Sequence, residues 1–306
     1  MSIIKHLVIP GGAIYGFSFY GSLKHLIQNK AIDINNIKTI HSTSVGSIIS
    51  TVIALKFDLD EVDNYLINRP WQEVFKFSLS SIVNCFSSNG LFDITTINEI
   101  FLPLFAAKDI NIGVTMKEFY EITNIELHFF TVDISSFSLV DISYHTFPEW
   151  TVLESIYASA CAPILFKPFK KDNVYYSDGG ILANCPLREL YESHINPSPD
   201  EILCITTEDV GGASFDFNLI QYIFYLITKI VNRLQPCNKP KDTNKKEYEV
   251  RILQSVMPVY DVISIANSPI QRKLLIEHGV ASARECCSQI LNLGSIDKIT
   301  TQEHYL

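Results

Sequence analysis

The sequence predicts an α/β protein with a mostly parallel sheet covered by helices, and three observations carry that expectation. Two strand–turn–helix units follow one another between Lys5 and Ile53. Such successive units imply a parallel sheet covered by helices, and the later runs Leu127–Asp133 and Glu201–Thr206 read as further strands. Between them lie segments whose apolar residues recur at helical spacing.

In chain order, Lys5–Pro10 is a short apolar run closed by Gly11 and Gly12, a buried strand ending in a glycine turn. After Gly16, residues Phe19, Leu23, Leu26 and Ile27 fall on one helical face. The pattern repeats: Ile37–His41 reads as a strand, and Val45, Ile48, Ile49, Val52 and Ile53 mark a helical stripe that begins just after Ser44. Asp58–Leu66 and Thr95–Phe105 are expected helices, the second capped by Thr95 or Thr96. Leu127–Asp133 and Ser138–Tyr144 are expected strands, and Thr151–Ala160 a helix that stops before Pro163. Val174–Tyr176 is a short strand entering Ser177-Asp178-Gly179-Gly180, and Glu201–Thr206 a late strand. Beyond it come an apolar helix over 215–234, a charged loop from Lys239, and a final helix over Pro269–Leu291. No repeat or linker divides the chain. One domain over 1–306 is expected, with a core at about 4–207 and a helical elaboration over 208–306.

The chain's 306 residues, 47% of them hydrophobic and 19% charged, suffice for a sizeable core; a chain of this length buries roughly three quarters of its unfolded surface. The formal net charge of -9 disfavours a nucleic-acid partner, which needs clustered Lys and Arg. Acidity leaves membranes open, since a local basic patch or apolar rim docks an acidic protein on lipid. Seven scattered cysteines, with no C-x-x-C pair and no zinc-ligand spacing, point to reduced thiols in a cytosol-like compartment. The opening Met-Ser-Ile-Ile-Lys-His lacks the pattern of a secretory signal. The stretch from Phe215 to Leu234 is too interrupted by polar residues to span a bilayer. It reads as a buried helix or an interfacial lipid-docking surface. Lys239, Lys241, Lys245 and Lys246 form either a solvated loop or a contact for anionic lipid, diluted by Asp242, Glu247 and Glu249.

Three segments have chemical potential. Ser44, in Ser42-Thr43-Ser44-Val45-Gly46, stands between a predicted strand and a predicted helix, the context of a nucleophile elbow. Small residues two before and two after it relieve crowding, and the helix behind it aims N–H groups at a developing oxyanion. Read alone, the same serine serves as an N-cap. Gly11-Gly12-Ala13-Ile14-Tyr15-Gly16 ends the first strand on the same sheet edge as Ser44 and offers either an oxyanion hole or a plain tight turn. Its spacing is neither G-x-G-x-x-G nor a P-loop, which argues against a nucleotide. Asp178-Gly179-Gly180 is either a hairpin turn or, beside Ser44, the site of a general base with a pKa raised by burial.

Taken with the Tyr157-Ala-Ser-Ala-Cys-Ala-Pro163-Ile-Leu-Phe166-Lys-Pro168 and Asp178-Gly-Gly-Ile-Leu-Ala-Asn184-Cys-Pro186 segments, these motifs resemble the patatin-like phospholipases in order and spacing over about residues 4–190. The resemblance implies a three-layer α/β/α patatin-like fold with a mostly parallel central sheet. It implies Ser44 as nucleophile, Asp178 as the base that activates it without a histidine, an oxyanion hole from Gly11, Gly12 and Ala13, and supporting roles for Ser42, Gly46, Gly16, Gly179 and Gly180. It further implies hydrolysis of acyl esters of membrane phospholipid or a related glycerolipid through an acyl-enzyme, without metal or cofactor, by a cytoplasmic protein in peripheral membrane contact. The sequence departs from the family at Ala13, where the third glycine belongs, at Tyr15, where Arg or Lys is usual, and at Ser42, where the elbow has its first glycine. Those departures motivate the rival expectation of a catalytically weak or inactive lipid-binding protein. A His-dependent carboxylesterase is the other rival, and it needs a late histidine: His194, His278 or His304.

Overall fold

The computed structural model describes residues 3–76, 89–211, 222–223, 225–227, 229–230, 247–255 and 259–302. Strand β1 (His6–Ile9) leads through the glycine turn into helix α1 (Gly16–Gln28), and β2 (Thr39–Thr43) leads through Ser44 into α2 (Val45–Ala54). Helices α3 (Leu59–Asn68) and α4 (Trp71–Val74) follow, then strand β3 (Gly90–Phe92) and helices α5 (Ile94–Ala106) and α6 (Met116–Thr123). A hairpin of β4 (Glu126–Asp133) and β5 (Ser138–Ile142) precedes α7 (Val152–Ala160), the short strands β6 (Ile164–Phe166) and β7 (Phe169–Lys171), and β8 (Val174–Asp178). Helices α8 (Gly180–Ala183) and α9 (Leu187–Glu192), strands β9 (Ile202–Asp209) and β10 (Tyr248–Gln254), and helices α10 (Val259–Ala266) and α11 (Pro269–Gln302) complete the described chain.

The main sheet runs β10-β9-β1-β2-β4-β8-β7, with β5 also paired to β4. The pairs from β10 to β4 are parallel; β5, β8 and β7 are antiparallel to their neighbours. Every residue of β1 and β2 is buried, as expected of strands with helices on both faces. In β2 these include polar side chains, and Thr39 shares a 2.8 Å hydrogen bond with the imidazole of His6.

Local chemistry explains the helix starts. Asp58 accepts from the Asp60 N–H, and Thr115 with Glu118 and Thr151 with Glu154 form reciprocal capping boxes. The helix expected to be capped by Thr95 or Thr96 is instead capped by Asp93, whose carboxylate accepts from both the N–H and the hydroxyl of Thr95. The earlier residue wins because its extended backbone lets a short carboxylate reach back to the first turn.

The 208–306 stretch is not purely helical: Tyr248–Gln254 is a strand, paired in parallel with β9 along its whole length. Its buried positions alternate with more exposed ones, so it forms a sheet edge rather than an appended layer. Most of the 215–234 stretch, and the loop lysines at 239–246, lie outside the described residues. Helix α11 lies against α1 so closely that a β-carbon on Gly21 would sit 2.1 Å from the Ile276 carbonyl, and one on Gly279 would sit 1.9 Å from that of Ser18. Ser18 donates to the Leu275 carbonyl at 2.8 Å within the same seam. Among the described residues no helix is long and apolar enough to cross a membrane.

Candidate active site

The site arises where two strands meet end to end along one edge of β4. Thr43, the last residue of β2, is opposite Phe130, and Asp178, the last residue of β8, is opposite Thr131. Strand β5 covers Phe129–Asp133 on the other edge, so β2 and β8 share this one and run toward each other. Ser44 and Asp178, 134 residues apart in sequence, are brought together by that convergence.

Ser44 has φ 55° and ψ -128°, a sparsely populated conformation for a residue with a side chain. Its hydroxyl makes no capping bond to α2, which removes the N-cap alternative. It donates instead to Asp178 Oδ2 at 2.5 Å. The Ser44 N–H is held at 3.0 Å by the Ser159 hydroxyl, which donates onward to the Phe130 carbonyl at 2.7 Å. Gly46 permits the turn: a β-carbon there would lie 2.5 Å from the Ile9 carbonyl and 2.7 Å from that of Pro10. Ser42 is fully buried behind the elbow.

Asp178 ends a strand and only Gly179 separates it from the next helix, so the Asp-Gly pair is no hairpin turn. Its Oδ1 accepts the Gly180 N–H at 2.7 Å while Oδ2 faces Ser44. A β-carbon on Gly179 would strike the Phe130 carbonyl at 2.1 Å, so that position keeps the carboxylate tight against β4. Only 6% of Asp178 is exposed. Burial pushes its pKa up from 3.8 to about 6, against the lowering effect of the hydrogen bonds from Ser44 and Gly180.

The glycine turn lines the same cavity as Ser44. Gly11 contributes close approach: a β-carbon on it would meet Asn184 Oδ1 at 2.5 Å and Ser44 Cβ at 3.2 Å. Its N–H is engaged by the Asn184 carbonyl at 3.0 Å, which takes it out of the expected set of oxyanion donors in this conformation. The N–H groups of Gly12 and Ala13 have no protein acceptor among the described residues. Ala13 sits at φ 46°, the left-handed region that favours glycine. A β-carbon on Gly16 would lie 2.4 Å from Val45 Cγ2, so this glycine lets α1 start flush against the elbow. Tyr15 is buried, and its hydroxyl accepts the Ser255 N–H at 2.9 Å, tying the turn to the end of β10.

Beside the pair lies a cavity of about 310 Å³ with mainly apolar walls, among them Ile48, Val52, Trp71, Phe75 and Leu165. Its size falls in the range of sites for small apolar ligands. Asp178 is the single carboxylate among its described lining residues, none of which is a histidine. His194 lies beside Glu126, His278 on α11 contacts Ser18, and His304 lies outside the described residues. Of the late histidines that a triad would draw on, His194 and His278 are both outside the lining of the Ser44 cavity. The residue that sequence reasoning did not single out is Ser159, which fixes the elbow through its hydroxyl. It lies inside the Tyr157–Pro168 segment, whose small residues were the available signal.

The chain matches the family model for patatin-like phospholipase over residues 7–191. It is 29% identical over 208 residues to the "Probable lipid hydrolase 463L" of Invertebrate iridescent virus 6, covering 66% of this chain and 70% of that one. It is 27% identical over 186 residues to "Uncharacterized protein R571" of Acanthamoeba polyphaga mimivirus, covering 61% of each. Among solved structures it is similar to VipD from Legionella pneumophila, with a TM-score of 0.55 and 14% identity across 94% of this chain and 67% of that one, a likeness of fold. With more than half of its length matched and its mixed, mostly parallel sheet in place, the chain belongs to the patatin-like phospholipase family.

Proposed function

We propose that the protein is a lipid acyl hydrolase of phospholipase A type that cleaves fatty acyl esters of membrane glycerophospholipids or related glycerolipids with Ser44 and Asp178. The observation that carries this reading is the 2.5 Å bond from the Ser44 hydroxyl to Asp178 on a strained elbow beside an apolar cavity. Family membership supports the substrate class.

In this mechanism Asp178 Oδ2 takes the proton as Ser44 Oγ attacks the ester carbonyl, and the carbonyl π electrons move onto oxygen. The N–H groups of Gly12 and Ala13, with those at the start of α2, stabilise the resulting oxyanion. Collapse of the tetrahedral adduct expels the lyso-lipid alkoxide, which recovers the proton from Asp178, and Ser44 is left acylated. Water then repeats the sequence with Asp178 as base and frees the fatty acid. A carboxyl that ionises near 6 suits both roles, since it is ionised at neutral pH yet accepts a proton more readily than an ordinary aspartate. The apolar cavity receives the acyl chain, and peripheral contact with the bilayer brings substrate to it.

The test is fatty-acid release from mixed phospholipid vesicles by the parent protein and by Ser44→Ala and Asp178→Asn, with circular dichroism to verify folding. Release by the parent alone is the expected result. Vesicle binding without release by the parent would replace this reading with that of a lipid-binding protein.

A further inference from the structure

We propose that the chain carries a divalent-cation site, of the kind that takes Zn²⁺, formed by Glu126, His145 and His194 at the end of the sheet remote from Ser44. Three separate segments supply it: the first residue of β4, the loop between β5 and α7, and the loop between α9 and β9. Glu126 Oε1 lies 3.1 Å from His145 Nε2 and 3.8 Å from His194 Nε2, and the three donor atoms all fall within 4.8 Å of one another. Bonds of about 2.0–2.2 Å in a tetrahedron require donors about 3.3 Å apart, so the observed spacings straddle what Zn²⁺ needs and a small closure of the His194 loop completes it. Two imidazoles and a carboxylate are a donor set such a cation accepts, with the fourth position left to water.

Hydrogen bonding alone accounts poorly for the cluster. His128 Nε2 also lies 3.0 Å from Glu126 Oε1, so three ring nitrogens crowd one carboxylate oxygen. At 3.8 Å the His194 nitrogen is beyond hydrogen-bond reach of that oxygen, so no hydrogen bond to Glu126 explains its position. A cation resolves the crowding, because His145 and His194 then present lone pairs to the metal while His128 keeps its bond to Glu126. His128 is itself fixed on its other side by Asp141 at 2.8 Å, the hydrogen-bonded outer layer that orients metal-binding carboxylates.

Exposure separates the roles. Glu126 is buried, whereas the side chains of His145 and His194 are 46% and 61% exposed, so burial does not account for holding the two imidazoles over one carboxylate. The rings meet edge to face with centroids 5.1 Å apart. His145 also lies against Tyr144, with ring centroids 3.9 Å apart and planes tilted by 34°, and Tyr144 stacks on Tyr120, so one ligand is pre-oriented. Thr131, opposite Asp178, is five residues further along β4 than Glu126, roughly 16 Å at the rise of an extended strand. The site is therefore a cross-link between loops and sheet, separate from the catalytic cleft.

The test is titration of the reduced, metal-free protein with ZnCl2 by calorimetry, with a thermal melt at each end point, on the parent and on His145→Ala, His194→Ala and the double variant. Both histidines are exposed, so these variants should fold. The expected result is one Zn²⁺ per chain in the parent, a melting temperature that rises with metal, and affinity weakened by more than about ten-fold for each imidazole removed. Co²⁺ in place of Zn²⁺ should give ligand-field absorption without a thiolate charge-transfer band. Absence of saturable binding, equal binding by the double variant, or a thiolate band that places the metal on cysteine would each overturn the proposal.

Discussion

Replacing Asp178 by Asn should make the protein more stable while abolishing turnover, and the gain should depend on pH in a way set by the site. The folded Asp178 ionises near 6 instead of 3.8 because it is buried. Each tenfold difference in proton affinity between folded and unfolded states is worth about 1.4 kcal/mol, so keeping this carboxylate ionised in the fold costs about 3 kcal/mol at neutral pH. The sign follows from linkage. With the folded pKa raised, the folded state holds its proton more tightly, so the contribution of Asp178 to stability is fully present below about pH 3.8 and is lost as pH rises through about 6. Asn keeps an acceptor for the Gly180 N–H and a polar partner for Ser44, yet has no charge to desolvate. Denaturant unfolding of parent and variant across this range should therefore give curves that draw together below about pH 3.8 and part by about 3 kcal/mol above pH 7. At roughly 2 °C per kcal/mol for a chain of this size, the melting temperature of the variant should be higher by about 6 °C at neutral pH. A stability difference that stays constant with pH, or a variant less stable than the parent at pH 7, would refute the claim that Asp178 is a destabilised, burial-tuned base.

Further expectations follow from the same geometry. The pH profile of kcat/KM should rise and level off through about 6 as Asp178 ionises, measured as fatty-acid release from vesicles. Ala13→Gly should stabilise the protein by about 0.5–1 kcal/mol in a thermal melt, because φ 46° suits glycine and the backbone N–H is retained. Gly46→Val should disrupt the elbow, since its β-carbon would stand 2.5 Å from the Ile9 carbonyl; turnover should drop by at least about 100-fold and stability fall by about 1–3 kcal/mol. Arg272, 1% exposed, donates to the carbonyls of Ala266, Ile67 and Arg69, and Arg272→Ala should lower stability by about 2–4 kcal/mol in denaturant unfolding because those acceptors lose their donor.

The parts of the fold legible in the sequence were those written locally. The two strand–turn–helix units, the helix over Thr151–Ala160 with its stop before Pro163, and the late strand over Glu201–Thr206 each follow from a pattern within a few positions. Strands β3, β6 and β7 are three residues each, too short for alternation to register, and their pairing depends on partners far along the chain. Strand β10 does alternate, with Tyr248, Val250 and Ile252 inward, but the charged stretch before it masked the pattern. At the site, Ser44 and Asp178 were legible as types in context. Their contact was not, because it depends on β4 being long enough to seat two strands end to end. That Gly11 gives its N–H to Asn184 is likewise a long-range hydrogen bond invisible to local reasoning.

The seam between α1 and α11 bears on when the cleft can come into being. Helix α1 begins where the glycine turn ends, so the orientation of the Gly12 and Ala13 donors is inherited from α1, and one flank of α1 is covered by the segment around Ile276 and Gly279. A nascent chain that has emerged as far as α8 already contains Ser44 and Asp178, but its donor loop is attached to a helix whose partner has not been made. Chains fold from the N-terminus as they are synthesised. A chain that stops short of α11 should therefore hold Ser44 and Asp178 while the helix behind the glycine turn lacks the neighbour it packs against.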